Sequence, residues 1–222
     1  LQKAIHVDPQ CAYAHNNLGL ALKGQGKWED AVACHEKAIE IDPKFAPAFN
    51  NLGLIFAAQD KLDRAIECYE QALALAPKQA LVHRNLGDAL RLKGRTDDAI
   101  KALRAALALD PHDAAAHNNV GLAFADLRNW DEAVEHYKQA IAINPNYATA
   151  HTNIGSVLGN QGDWAAAADW HRKMSTDFPS GWSDTSAQGA NNGGDFGLRR
   201  RSGDGKERRA GRLAPDSVPE LA

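Results

Sequence analysis

The sequence predicts an all-α fold, an α-solenoid of five stacked antiparallel helix pairs led by half a pair and followed by a disordered tail. Three observations predict it. Asn17, Asn51, Asn85, Asn119 and Asn153 stand 34 residues apart at every step (51−17, 85−51, 119−85, 153−119), and a fixed period of that length marks a repeat protein. Each is followed by an aliphatic residue and a glycine, from Leu18-Gly19 to Ile154-Gly155. The same register carries Ala31, Ala65, Ala99, Ala133 and Ala167, with a closing proline at Pro43, Pro77, Pro111, Pro145 and Pro179. Within one period, apolar residues recur at the three-and-four spacing of an amphipathic helix.

Taken in order, residues 1–11 place Ala4 and Pro9 where a preceding unit would have its last alanine and proline, so they read as the second helix of a half unit. Five full units follow at 12–45, 46–79, 80–113, 114–147 and 148–181. In the first, Ala14, Leu18, Ala21 and Leu22 make the buried stripe of a helix over 12–24, which Gly24, Gly26 and Lys27 interrupt. A second helix over about 29–41 turns Ala31, Val32, Ala38, Ile39 and Ile41 inward and ends at Pro43. Gly19 and Ala38 are small because the two helices approach closely; a glycine inside a helix costs about 1 kcal/mol relative to alanine and needs such a reason. One hairpin cannot bury its own stripe, so neighbouring units must stack. Trp28, Trp130 and Trp164, each opening a second helix, read as anchors between units. The acid pairs Asp97-Asp98 and Asp131-Glu132 fall in first turns, where the helix dipole favours negative charge.

These residues resemble the tetratricopeptide repeat, whose Leu-Gly, Ala, aromatic, Ala, Pro pattern the chain follows over roughly four-fifths of its length. His15, Phe49, His83, His117 and His151 stand where the family often has Trp, and Met174 replaces the late alanine of the last unit. The resemblance implies a right-handed superhelix with the first helix of each unit lining a concave groove. On that face fall Tyr13, Asn16, Asn17, Leu20 and Lys23; then Asn50, Asn51, Leu54 and Ala57; then Arg84, Asn85, Asp88 and Arg91. Asn118, Asn119, Leu122 and Asp126 follow, then Thr152, Asn153, Ser156 and Asn160. An amide side chain offers two donors and an acceptor, so it pairs with a peptide group whatever the ligand's side chains are. The expected function is therefore protein binding. Asn17, Asn51, Asn85, Asn119 and Asn153 would clamp the main chain of an extended polypeptide, beside Asn16, Asn50 and Asn118. Arg84, Asp88, Arg91 and Asp126 would add charge preference. The competing expectation is that each Asn bonds to a neighbouring helix and holds the stack together.

The His-Asn-Asn-Leu-Gly opening further resembles the repeat region of O-linked N-acetylglucosamine transferases, in which such an array delivers protein substrates to a separate catalytic domain. Nothing in this chain resembles that domain. Repeats that dock a terminal carboxylate on chaperones fit worse, because Leu20 and Leu54 stand where they need a polar Asn.

No run of about 18 apolar residues offers a membrane span, and the opening LQKAIHVDPQ is charged and in repeat register, unlike a signal peptide. A formal net charge of −3 argues against nucleic acid as the main partner. Cys34 and Cys68 sit one period apart, too far for a disulfide if units are spaced by about 8–10 Å or more, which points to a reducing, cytoplasmic setting. The histidine series, one per unit, is spread too widely to share a metal whose bonds are about 2 Å long, and the rings are expected to pack between the two helices. Neighbours such as Cys34-His35 and His136-Tyr137 diverge on a helix, and Gly24-Gln25-Gly26 lacks the lysine and strand of a phosphate loop. The expectation is no catalytic residue, no metal and no cofactor. Residues 182–222 lose the period and are rich in Gly, Ser, Asp and Arg, the composition of a disordered tail. Its basic stretch 199–212 reads as a solvated segment, as a tether for an anionic surface or nucleic acid, or as text foreign to the repeat. The chain is expected to belong to something longer, with self-association through uncapped ends as a third function class.

Overall fold

The computed structural model describes residues 9–177, with side chains described to residue 172. The bulk of the half unit, Pro179 and the tail 182–222 lie outside the described residues. Among the described residues ten helices follow one another: α1 Ala12–Gly24, α2 Trp28–Ile41, α3 Ala46–Ala58, α4 Leu62–Leu75, α5 Ala80–Leu92, α6 Thr96–Leu109, α7 Ala114–Asp126, α8 Trp130–Ile143, α9 Ala148–Asn160 and α10 Trp164–Asp177. No strand occurs among the described residues, and no helix there is long and apolar enough to cross a membrane.

Each first helix packs closely on the second helix of its own pair, and each second helix meets the first helix of the next. Successive first helices also touch one another, whereas successive second helices make no comparable contact. The stack therefore curves with α1, α3, α5, α7 and α9 on its inner side. The pairs open at Ala12, Ala46, Ala80, Ala114 and Ala148, again 34 residues apart.

The core is made mostly of small and aliphatic residues between helices. Ala31, Ala38, Ala65, Ala99, Ala106, Ala116, Ala133, Ala140 and Ala150 are fully enclosed. The close approach expected at Gly19 has a more specific cause than the partner helix's alanine. A Cβ on Gly19 would meet the His35 ring at 2.7 Å, on Gly53 and Gly121 the rings of Tyr69 and Tyr137 at 2.5 Å, and on Gly87 the Leu103 side chain at 2.6 Å. The glycine register makes room for one large side chain, sixteen residues on, from the second helix.

The tryptophan expectation holds unevenly. Trp130 packs against the cluster of Leu122, Tyr137 and Ile154, but Trp164 is 72% exposed and anchors no such core.

Candidate functional site: the inner face and its joints

The asparagine register lies on the inner helices, and the structure turns most of it into the joints between units. Asn51, Asn85, Asn119 and Asn153 are buried; Asn17 is exposed. The Asn51 amide donates to Asn16 Oδ1 at 2.9 Å, Asn85 to Asn50 Oδ1 at 3.1 Å and Asn153 to Asn118 Oδ1 at 2.9 Å. The rule is simple: the second Asn of one unit donates to the first Asn of the unit before it. This is a correction to the expected open row of five rungs, because three of those amide groups already bind a neighbouring helix. The physical reason is the small rotation between units, which brings residues 35 apart, rather than 34 apart, side to side on the inner wall.

Asn16 Oδ1 also accepts from His35 Nδ1 at 3.0 Å, so one buried oxygen ties α1 to both α2 and α3. The opposite ring nitrogen, His35 Nε2, is buried without a hydrogen-bond partner. Burial, and secondarily the Lys23 ammonium, hold the His35 pKa down to about 4. The ring is neutral at physiological pH.

Between the third and fourth units the pattern breaks. Residue 84, where Asn119 would find its acceptor, is arginine. Arg84 Nη1 instead donates to both carboxylate oxygens of Asp113, at 2.8 and 2.9 Å. Asp113 is at the same time the N-cap of α7, accepting from the Ala116 N–H at 3.0 Å. Arg91 Nη1 donates to Asp126 Oδ2 at 3.1 Å, again 35 residues on, and Arg91 Nη2 reaches Asp88 at 3.4 Å. Asn119 is left to accept a long bond of 3.4 Å from its neighbour Asn118. The four charged candidates thus meet at or beside a single joint.

The histidine series has a role that the sequence reading missed. His15, His83, His117 and His151 donate from Nε2 to the carbonyls of Pro9, Pro77, Pro111 and Pro145, at 3.0, 2.9, 3.2 and 2.9 Å. Each ring ties the start of one unit to the closing turn of the last, rather than simply packing between two helices. The signal was present as a Pro-to-His interval of six residues repeated four times. His117 Nδ1 also meets His136 Nδ1 at 3.4 Å; with the His117 proton committed at Nε2, His136 must be the donor. Among the described residues no group of three or more His, Cys, Asp or Glu is placed to hold a metal. Cys11, Cys34 and Cys68 are free thiols, and burial pushes Cys68 up to about 11, so it stays protonated.

The inner face stays open at both ends, at Thr152, Ser156 and Asn160 on α9 and, with apolar surface beside the amide, on α1. Tyr13 is 67% and Leu20 42% exposed, with Asn17 between them on the same stripe. Tyr13 stands edge-on to Phe45, ring centres 4.6 Å apart. Further along, Leu54, Ala57, Tyr69, Asn85, Asp88 and Leu92 enclose a cleft of about 10 Å³, room for one water.

The repeat pattern and this stacking define a class. Models of the tetratricopeptide repeat match residues 12–45 and the overlapping spans 50–114, 85–148 and 118–180, and the chain belongs to the tetratricopeptide repeat family. No curated protein matches it. Among solved structures it is similar to MamA, with 26% identity and a TM-score of 0.63 over 70% of this chain and 91% of that one. It is similar to PilF of Pseudomonas aeruginosa, with 25% identity and a TM-score of 0.67 over 77% and 78%. YrrB, described as a TPR protein with an unusual peptide-binding site, shares the fold at 23% identity and a TM-score of 0.64 over 81% and 92%. Solenoids of this kind present extended concave surfaces to other proteins, and a protein-interaction module is the class to which this array belongs.

Proposed function

We propose that the chain holds an extended segment of another protein against its inner helices, gripped chiefly at the α1 end. The observation that carries this reading is the open stripe of Tyr13, Asn17 and Leu20. Asn17 is the exposed member of the register, so its donors and acceptor are available to a peptide group. Tyr13, four residues before it, and Leu20, three after it, stand on the same face with their apolar surfaces in water. The other asparagines support the groove from within the joints, and the Asp126 carboxylate, 43% exposed on its side chain, adds charge toward the far end.

The test is a pair of substitutions measured against a peptide selected on the wild-type array from a random display library. Asn17→Ala is expected to weaken binding about five- to tenfold, the size of one net hydrogen bond, and to leave the melting temperature unchanged. Asn51→Ala is expected to do the reverse. Wild-type affinity in Asn17→Ala and in Tyr13→Ala would sink the reading.

A finer reading makes the array the substrate-selecting arm of a glycosyltransferase. It rests on the repeated His15-Asn16-Asn17 and His117-Asn118-Asn119 openings. Sequencing the natural reading frame tests it: the frame must encode a nucleotide-sugar domain.

A further inference from the structure

We infer that the joint between the third and fourth units is salt-sensitive, a point where the array loosens with ionic strength while the joints between the first and second and between the fourth and fifth units do not. The joints at Asn16/Asn51 and Asn118/Asn153 are closed by neutral amide pairs; the Asn50/Asn85 joint has its amide pair and, at its rim, an ion pair between Lys93 and Asp63. At the third joint the amide pair is replaced by charge: Arg84 on both oxygens of Asp113, and Arg91 on Asp126. Neutral amide bonds carry no net charge for counter-ions to screen. Ion pairs do, and the screening length shrinks from about 10 Å at 0.1 M salt to about 3 Å at 1 M. Arg84 and Asp113 are each 13% exposed on their side chains and Arg91 6%, which shields them, but the Asp126 carboxylate is 43% exposed, so ions reach the joint chiefly through the Arg91–Asp126 pair.

The consequence follows from how a solenoid is built. Its stability is a sum of unit terms and nearest-neighbour joint terms, so weakening one joint uncouples the helices α1–α6 from α7–α10 without melting either part. Asp113 adds a second effect, because the carboxylate that holds Arg84 is also the N-cap of α7. Losing the pair frees the first turn of α7 to fray. The inner face would then bend at residues 84–126, between the open α1 stripe and the last unit.

Hydrogen exchange of the full chain, read by mass spectrometry at about 0.05 M and 1 M NaCl, tests this. Amides of 110–118 are expected to exchange several-fold faster at high salt, with 42–50 unchanged. A uniform response across all joints overturns the inference. The triple variant Arg84→Asn, Asp113→Asn, Asp126→Asn puts an amide acceptor in reach of Asn119, keeps a capping side chain and removes the partner of Arg91, and is expected to lose the salt response; retention of the full response overturns the inference. Should that variant fail to fold, Asp126→Asn serves: exchange of 110–118 at low salt must already approach the high-salt rate of the wild type, and an unchanged rate counts against the joint.

Discussion

His35 stands where the second to fourth units place Tyr69, Leu103 and Tyr137, and the fifth His171, against the register glycine, and its complete enclosure gives the first unit its own pH dependence. The folded pKa is held to about 4 by burial first and by Lys23 second, against 6.5 for the free ring. The unfolded chain therefore binds more protons between those values, so stability is full above about pH 6.5 and is lost as pH falls toward 4. The linkage is worth on the order of 3 kcal/mol at the acid end. Melting temperatures of wild type and His35→Leu, which copies the third unit, are expected to converge or cross as the pH is lowered from 7.5 to 4.5. A constant difference across that range refutes the assignment. Nothing in the sequence marks His35 as distinct from His136 or His171; only enclosure on every side and an unpartnered Nε2 do so.

Between the two helices of every pair lies one residue with positive φ: Gly26, Asp60, Gly94, Arg128 and Gly162, at 75°, 60°, 83°, 58° and 85°. The next residue's N–H closes back on the helix, as Lys27 does on Leu22 at 3.0 Å and Asn129 on Phe124 at 2.9 Å, the Schellman closure that favours glycine. The glycines at 26, 94 and 162 signalled this turn in the sequence; Asp60 and Arg128 hid it. Arg128 bears the left-handed strain with a side chain that has no cause to be there. Arg128→Gly is expected to stabilise the array by about 1 kcal/mol, raising the melting temperature by roughly 2–4 °C for a chain of this size. A lower melting temperature would show that unfolded-chain entropy outweighs the strain.

Across the whole molecule, coupling runs only between neighbours. Asn16→Ala and Asn51→Ala remove the same bond and are expected to be non-additive by about 1 kcal/mol. Asn51→Ala and Asn153→Ala touch joints three units apart and are expected to add within about 0.5 kcal/mol in denaturant titrations. Additivity in the first pair would mean that the observed bond contributes nothing to the stack.

The period, the helix pairs and the inner position of the asparagines were legible in the chain because a 34-residue repeat leaves the same residue types at the same places, and a helix face follows from spacing alone. The use of those asparagines was not legible. Stacking rotates each unit slightly on the last, so the partner of residue n is n+35 and not n+34, and an offset of one residue separates an open ladder from a closed joint. The same offset set Arg91 beside Asp126, while Arg84 reaches the cap of the next helix at Asp113; Asn17, in the first described unit, meets no earlier described amide and faces water with Tyr13 and Leu20. Sequence determined which side chains line the inner wall; the packing of one hairpin on the next decided which of them hold the wall and which face a ligand.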